Sequence, residues 1–330
     1  MAEALLRLHD VKKYFPLRRG WLRRPGWLRA VDGVSFEVQT GEIFGLVGES
    51  GCGKTTLGKT ILGLYRPTAG AITFKGRPIH ALPPAQARAL RREIQYVYQD
   101  PGASLDPWWT VGRSLHEPLV VHTRLSRRER QARVEEMIHA VGLESAHLRR
   151  YPHEFSGGQQ RRLGLARVLV LNPSLVIFDE PTSGLDVSVQ ATILKLFKEL
   201  RARFRLTYVF ISHDLSVIRL MCQRVAVMYL GVVVELGSTA AIFDTPRHPY
   251  TRALLAAIPR PVVAPEGDEG PLLEGEPPSA QQLPGGCRFR LRCPLARQDP
   301  CARLEPPLAE VAPGHWVACH FADTVPSAAS

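Results

Sequence analysis

IFGLVGESGCGKTTLGKTILGL, residues 43–64, passes from an apolar run through a glycine-rich turn into a segment with helical character. The apolar run reads as a buried strand, and Gly48, Gly51 and Gly53 allow the backbone N–H groups between them to close around an anion. Lys54 would reach the outer phosphates of a nucleotide, and the Thr55 hydroxyl would ligate Mg²⁺. Strand, loop and helix in this order are the context a phosphate-binding loop requires, so Gly48, Glu49, Ser50, Gly51, Cys52, Gly53, Lys54, Thr55 and Thr56 form the first candidate site.

Working outward, SLVIFDEP at residues 174–181 is an apolar strand ending in two acids. Asp179 is suited to holding Mg²⁺ and Glu180 to polarising an attacking water. FSGGQQRR at residues 155–162 supplies a second anion site, because Ser156, Gly157 and Gly158 open a helix with a hydroxyl and bare backbone N–H groups. Two phosphate sites on one chain suggest a dimer.

Further strand-like runs lie at residues 5–15, 31–47, 174–178, 206–212 and 224–236. The last three, each separated by a helix or turn, alternate as expected of an α/β sheet with parallel strands. Residues 84–170 read as an inserted, mostly helical lobe, exemplified by SRRERQARVEEMIHAVGL with its apolar residues three and four apart. The stretch PLRRGWLRRPGWLRA, residues 16–30, interleaves arginine with Trp21 and Trp27 and reads as a solvated loop or as a contact with lipid headgroups or a membrane partner. Beyond about residue 258 proline and glycine become dense, as in a loop-rich appendage.

Lys and Arg outnumber Asp and Glu by 42 to 31, a formal charge of +11 that suits an anionic partner without selecting one. No apolar run reaches the roughly 18 residues of a membrane span, and the first residues lack a signal-peptide core, so a cytosolic location is expected. Four of the six cysteines, Cys287, Cys293, Cys301 and Cys319, cluster near the C-terminus. In a reducing compartment this favours metal binding over disulfides, and the spacing is not the paired CxxC of a zinc ribbon.

With these motifs the chain resembles the ATP-binding-cassette (ABC) family, whose signature sequence FSGGQQ matches. The resemblance implies a P-loop ATPase with a mixed-sheet core, an inserted α-helical subdomain and a small Cys-rich C-terminal extension. It divides the chain into a nucleotide-binding domain over 1–255 and an extension over 256–330. It also assigns roles. Gln99 in VYQDP is the glutamine that senses the γ-phosphate and joins Thr55 and Asp179 around Mg²⁺. Asp186 in SGLD communicates between subunits, and His213 in FISHDL contacts the γ-phosphate. Phe15, or else Tyr14 beside it, stacks on adenine. Glu180, His213, Lys54 and Gln99 form the catalytic set. Two subunits pack head to tail, so that Ser156, Gly157, Gly158 and Gln159 of one face the ATP of the other.

VYQDPGASLDP, YPHEFSGGQQRR, TSGLDVSVQ and above all HPYTRALLAAIP at residues 248–259 are similar to the ATPases of oligopeptide and dipeptide importers, a subfamily that also takes up nickel complexes. The pattern is that of the second of two ATPase subunits. It implies a paralogous partner in a heterodimer, two permease subunits, an associated substrate-binding protein, a peripheral position on the cytoplasmic side of the cell membrane, and no nucleic acid. The same resemblance implies a [4Fe–4S] cluster on the four cysteines, with zinc or unliganded thiols as alternatives. A cassette ATPase acting on DNA or ribosomes is the rival from another class. It fits the basic pI of about 9.7 but not the absence of tandem cassettes and coiled-coil arms.

Overall fold

The computed structural model describes residues 4–17, 26–98, 102–258 and 275–324. Gln99 and most of the basic, Trp-containing segment, residues 18–25, lie outside the described residues. Two compact units are distinguished: one comprises residues 39–42 and 81–210, the other residues 4–38, 43–80 and the chain from 211 onward.

In the second unit, β1 (Ala4–Leu17) lies between β2 (Gly26–Gln39) and β4 (Ala69–Phe74), and β5 (Arg77–Pro78) closes this four-stranded sheet. Period-two alternation explains these strands: Leu6 and Leu8 are buried with Arg7 exposed between them, and Val34 and Phe36 are buried around exposed Ser35. A second set of strands runs in the order β11 (Ala309–Ala312), β12 (His315–Val317), β10 (Val232–Ser238), β9 (Arg224–Tyr229) and β3 (Ile43–Val47). All five residues of β3 (Ile43–Val47) are buried, and it runs parallel to β9 (Arg224–Tyr229), with Leu46 opposite Ala226. The expectation of parallel strands stops at β9. Leu230 and Gly231 both take positive φ, 42° and 84°, which is the geometry of a tight hairpin, so β10 (Val232–Ser238) returns antiparallel.

The chain after residue 275 is not all loop. β11 (Ala309–Ala312) and β12 (His315–Val317) form an antiparallel pair, and β12 adds to β10 through Glu235 opposite Val317. This attachment depends on one acid inside an apolar strand. Glu235 is fully buried, and its carboxylate accepts from His315 Nε2 at 2.7 Å and from the backbone N–H groups of Arg247 at 2.7 Å and His248 at 3.1 Å. His248 then caps α9 (Pro249–Ala256), its Nδ1 accepting from the Tyr250 N–H at 3.1 Å. Glu235→Ala would leave these donors without an acceptor. It is expected to lower stability by about 3–5 kcal/mol, read as a shifted denaturant midpoint.

His248 makes a second, pH-dependent prediction. Burial pushes its pKa from 6.5 to about 4, against the opposing pull of the Glu235 charge, so the folded protein holds it neutral. The unfolded chain takes up a proton first as the pH falls, so this contribution is complete above about pH 6.5 and disappears toward pH 4. The full loss amounts to about 3 kcal/mol. Denaturant titrations at pH 7.5 and 4.5 should show a larger drop for the wild type than for His248→Asn, which keeps a capping oxygen without titrating. Equal drops would assign the acid sensitivity elsewhere.

In the first unit, α2 (Pro84–Glu93), α3 (Val111–His122), α4 (Arg127–Ala140) and α5 (Gly157–Leu169) supply the helices expected over 84–170. α4 starts with a capping box between Ser126 and Glu129 and buries Val134, Met137 and Ile138, the three- and four-residue spacing visible in the sequence. The lobe is not continuous, because Ile94–Val97 forms strand β6, parallel to β7 (Leu175–Asp179) with Tyr96 opposite Ile177. Four residues, IQYV, are too few for periodicity to separate strand from helix. α6 (Val187–Phe204) and β8 (Thr207–Ser212) follow.

Candidate nucleotide site

In the second unit the phosphate loop connects β3 to α1 (Lys54–Ile61). Its shape depends on glycine: at Gly53, φ is 108°, and a Cβ there would lie 2.1 Å from the Ala30 carbonyl oxygen. Lys54 is buried and folds back over its own loop, donating to the Gly48 carbonyl at 2.7 Å and the Glu49 carbonyl at 2.9 Å. Its ammonium thus sits over the turn that an anion would enter, with Thr55 exposed at the start of α1 and Thr56 half-buried. Cys52 is buried 3.6 Å from the Lys54 ammonium, and burial pushes its thiol pKa up, so it is held as a small neutral side chain. Ser50 and Gly51 form the exposed crest of the loop.

On β1, Tyr14 and Phe15 point to opposite faces, as neighbours on a strand must. The Tyr14 hydroxyl is tied to Asp32, whereas the Phe15 ring stands edge-on to Tyr65 at 5.3 Å with the Lys13 ammonium 4.9 Å from its centre. His213 is exposed at the end of β8, before Asp214 caps α7 (Leu215–Met221) through the Ser216 N–H at 2.9 Å.

In the first unit, Asp179 ends β7 and is buried, accepting from the Tyr96 hydroxyl at 2.6 Å. Sequence reading did not single out Tyr96, whose hydroxyl aims the carboxylate. Glu180 follows with φ 51°, a left-handed conformation costing a non-glycine residue about 1–2 kcal/mol.

Ser156 caps α5 by accepting from Gln159 N–H at 3.4 Å, and the Gln159 side chain accepts from Ser156 N–H at 3.1 Å. Neither glycine behind this cap takes a positive φ, and a Cβ on Gly157 or Gly158 would meet none of the described residues within 4 Å. Asp186 caps α6 by accepting from Val189 N–H at 2.9 Å and from the Ser188 hydroxyl at 2.8 Å; the Val189 contact, first, holds its pKa below the usual carboxylate range.

The four C-terminal cysteines fall within electrostatic reach of one another. Burial is the main cause of the raised thiol pKa values at Cys287, Cys293 and Cys319, and the charges of neighbouring cysteines, Cys301 among them, add to it. Cys287 N–H also donates to the Cys301 carbonyl at 2.8 Å. Among the described residues, however, no group of three or more His, Cys, Asp or Glu side chains converges tightly enough to hold a metal ion. The expected [4Fe–4S] centre thus has no closed cage.

Residues 31–183 match the ABC transporter family model, and residues 234–301 match the C-terminal region of oligopeptide/dipeptide transporters. The fold and its phosphate loop define an ABC ATPase, a P-loop protein with a mixed sheet that hydrolyses ATP, and the chain belongs to that family. Within it, the chain is 50% identical to the oligopeptide transport ATP-binding protein AppF of Bacillus subtilis, covering 97% of this chain and 98% of that one. It is 42% identical to the di/tripeptide transport ATP-binding protein DppF of Pseudomonas aeruginosa over the same shares. Among solved structures, the ATP-binding cassette MJ0796, a dimer in a post-hydrolysis state bound to ADP and Pi, superposes with a TM-score of 0.62 at 29% identity, covering 71% of this chain and 98% of that one. No described helix is long and apolar enough to cross a membrane.

Proposed function

We propose that this chain is one of two ATPase subunits of an importer for dipeptides or oligopeptides, bound peripherally to the cytoplasmic face of two permease subunits and fed by a substrate-binding protein. The cargo class is supported by the match of residues 234–301 and by the peptide-transport relatives. The dimer is supported by the exposed, uncluttered start of α5. ATP held by Gly48–Thr56 and Phe15 of one subunit meets Ser156, Gly157, Gly158 and Gln159 of a paralogous partner. Closure brings Glu180, His213 and Gln99 to the γ-phosphate, with Asp186 relaying between subunits, so chemistry waits for the partner. Thr55, Asp179 and Gln99 would hold Mg²⁺, which would supply charge neutralisation at the phosphates. Residues 1–255 form the nucleotide-binding domain and 256–330 an extension.

The observation that carries this reading is the pair of glycines at the start of α5, where an added Cβ would meet none of the described residues. Its test is uptake of a labelled dipeptide by cells carrying the intact chain or a Gly158→Asp variant, whose carboxylate would repel ATP bound by the partner. Uptake should collapse while the variant still binds ATP. Undiminished uptake overturns the reading, and loss of nickel uptake alone would reassign the cargo.

The extension's four thiols are proposed to hold a [4Fe–4S] cluster. Cys287, Cys293, Cys301 and Cys319 would each supply one thiolate to such a cluster. Anaerobic purification should give a brown protein whose iron is lost on Cys293→Ser. A colourless, iron-free chain would leave the thiols unliganded.

A further inference from the structure

Glu49 of the phosphate loop is held at three points. Its backbone N–H donates to the Tyr250 hydroxyl at 2.8 Å, and its carbonyl accepts from Lys54 at 2.9 Å. Its carboxylate receives both arms of Arg292, at 2.7 and 3.0 Å. Tyr250 comes from the HPYT segment and is completely buried, its ring packed against Tyr229 and Phe289. The Arg292 side chain is 5% exposed and Glu49's 24%, so this two-pronged, charge-assisted pair is buried at its guanidinium and partly exposed at its carboxylate.

Arg292 is itself fixed by the cysteine segment. It directly precedes Cys293, and its backbone N–H donates to the Phe289 carbonyl at 3.0 Å within a tight turn that begins at Cys287. The peptide that supplies the Glu49 carbonyl is the one that positions the Lys54 ammonium. A shift of Arg292 therefore moves Glu49, and a shift of Glu49 moves the lysine that must meet the phosphates.

We infer that Arg292 is a positioning residue for the phosphate loop, acting through Glu49, and that the cysteine segment that carries it is thereby coupled to nucleotide binding. The coupling runs both ways. If the state of the thiols alters nucleotide affinity, bound nucleotide must alter the thiols by the same free energy. The inference rests on the ATP-site reading, so the experiment separates the two.

ADP binding by the full-length wild-type chain checks the ATP site itself. Arg292→Gln should raise the ADP Kd and the ATP KM tenfold or more with a smaller change in kcat, and Arg292→Lys should recover part of the loss. Arg303→Gln, which removes an exposed tail arginine paired with Asp299, should match the wild type. Glu49→Gln should reproduce the Arg292→Gln effect with the tail sequence intact, so a failure of Arg292→Gln to fold does not remove the test.

In parallel, saturating ADP should slow alkylation of Cys287 and Cys293 by iodoacetamide severalfold, or slow iron removal by a chelator if the chain purifies with iron. That protection should vanish in Arg292→Gln. Unchanged ADP affinity in Arg292→Gln with only a lowered melting temperature would make the pair a plain anchor and overturn the inference. Thiol reactivity indifferent to ADP in the wild type would overturn the coupling.

Discussion

Glu180→Gln should lower ATP turnover by about 10²–10⁴-fold while leaving ATP binding nearly intact, because an amide of the same shape cannot take a proton from the attacking water. The position supports this division of effects. Glu180 directly follows Asp179, whose carboxylate is fixed by Tyr96, so the substitution leaves the Asp179 contact in place. With hydrolysis blocked, the two-subunit closed state should accumulate in ATP, visible by size-exclusion chromatography. The left-handed backbone at Glu180 makes a second variant informative. Glu180→Gly relieves the strain and should raise thermal stability while abolishing turnover as thoroughly as Gln does. If Glu180→Gln retained substantial turnover, Glu180 would not be the base, and if Glu180→Gly lost stability, the strain argument would fail.

The parts of this molecule that were legible in the sequence are those specified by neighbours in the chain. β3, the glycine turn and α1 follow one another within residues 43–61, and each residue type acts on the backbone next to it: Gly53 by permitting φ 108°, Lys54 by reaching back to Gly48. The Ser156 cap with Gln159 three residues on is likewise local. Phe15 and Tyr14 were both candidates because alternation says that adjacent residues face opposite ways but not which face holds a ligand. The Asp32 bond to Tyr14, from the neighbouring strand, is likewise a contact that alternation does not show.

What the sequence did not disclose depends on residues far apart. Glu235 in VVVELG looks like a solvent-facing acid in a half-buried strand, yet it is buried because His315, 80 positions on, and the turn before α9 bring donors to it. Arg292 looks like one more surface arginine in RFRLRC, and its partner Glu49 is 243 positions away. The arginines between the cysteines were a signal that could have been followed. A positively charged segment that must pack against its own domain needs carboxylates there, and the phosphate loop offers one in Glu49.

Lys54→Met should weaken ATP binding by about 10²-fold or more, the largest effect on affinity expected from a single substitution in the chain. Two terms add. The ammonium makes charge-assisted hydrogen bonds worth about 1.5–3 kcal/mol each, and a phosphate-bound lysine makes at least one to an oxygen carrying full charge. Its positive charge also adds to the field of the α1 N-terminus at the loop. Working against the loss, the lysine must release the Gly48 and Glu49 carbonyls to reach a phosphate, so part of its binding energy replaces bonds already made. For that reason the expected loss is nearer 10²-fold than the 10⁴-fold that two bonds gained from water would suggest. Lys54→Arg should not restore binding. The side chain lies buried against Cys52 in a loop shaped by Gly48, where a Cβ would already come within 2.8 Å of the Cys52 sulfur, and a planar guanidinium has no room to turn. Isothermal titration with ATP and with ADP separates the terms: a lysine that serves the outer phosphates should cost ATP more than ADP, and an equal loss for both would place its main contact nearer the β-phosphate.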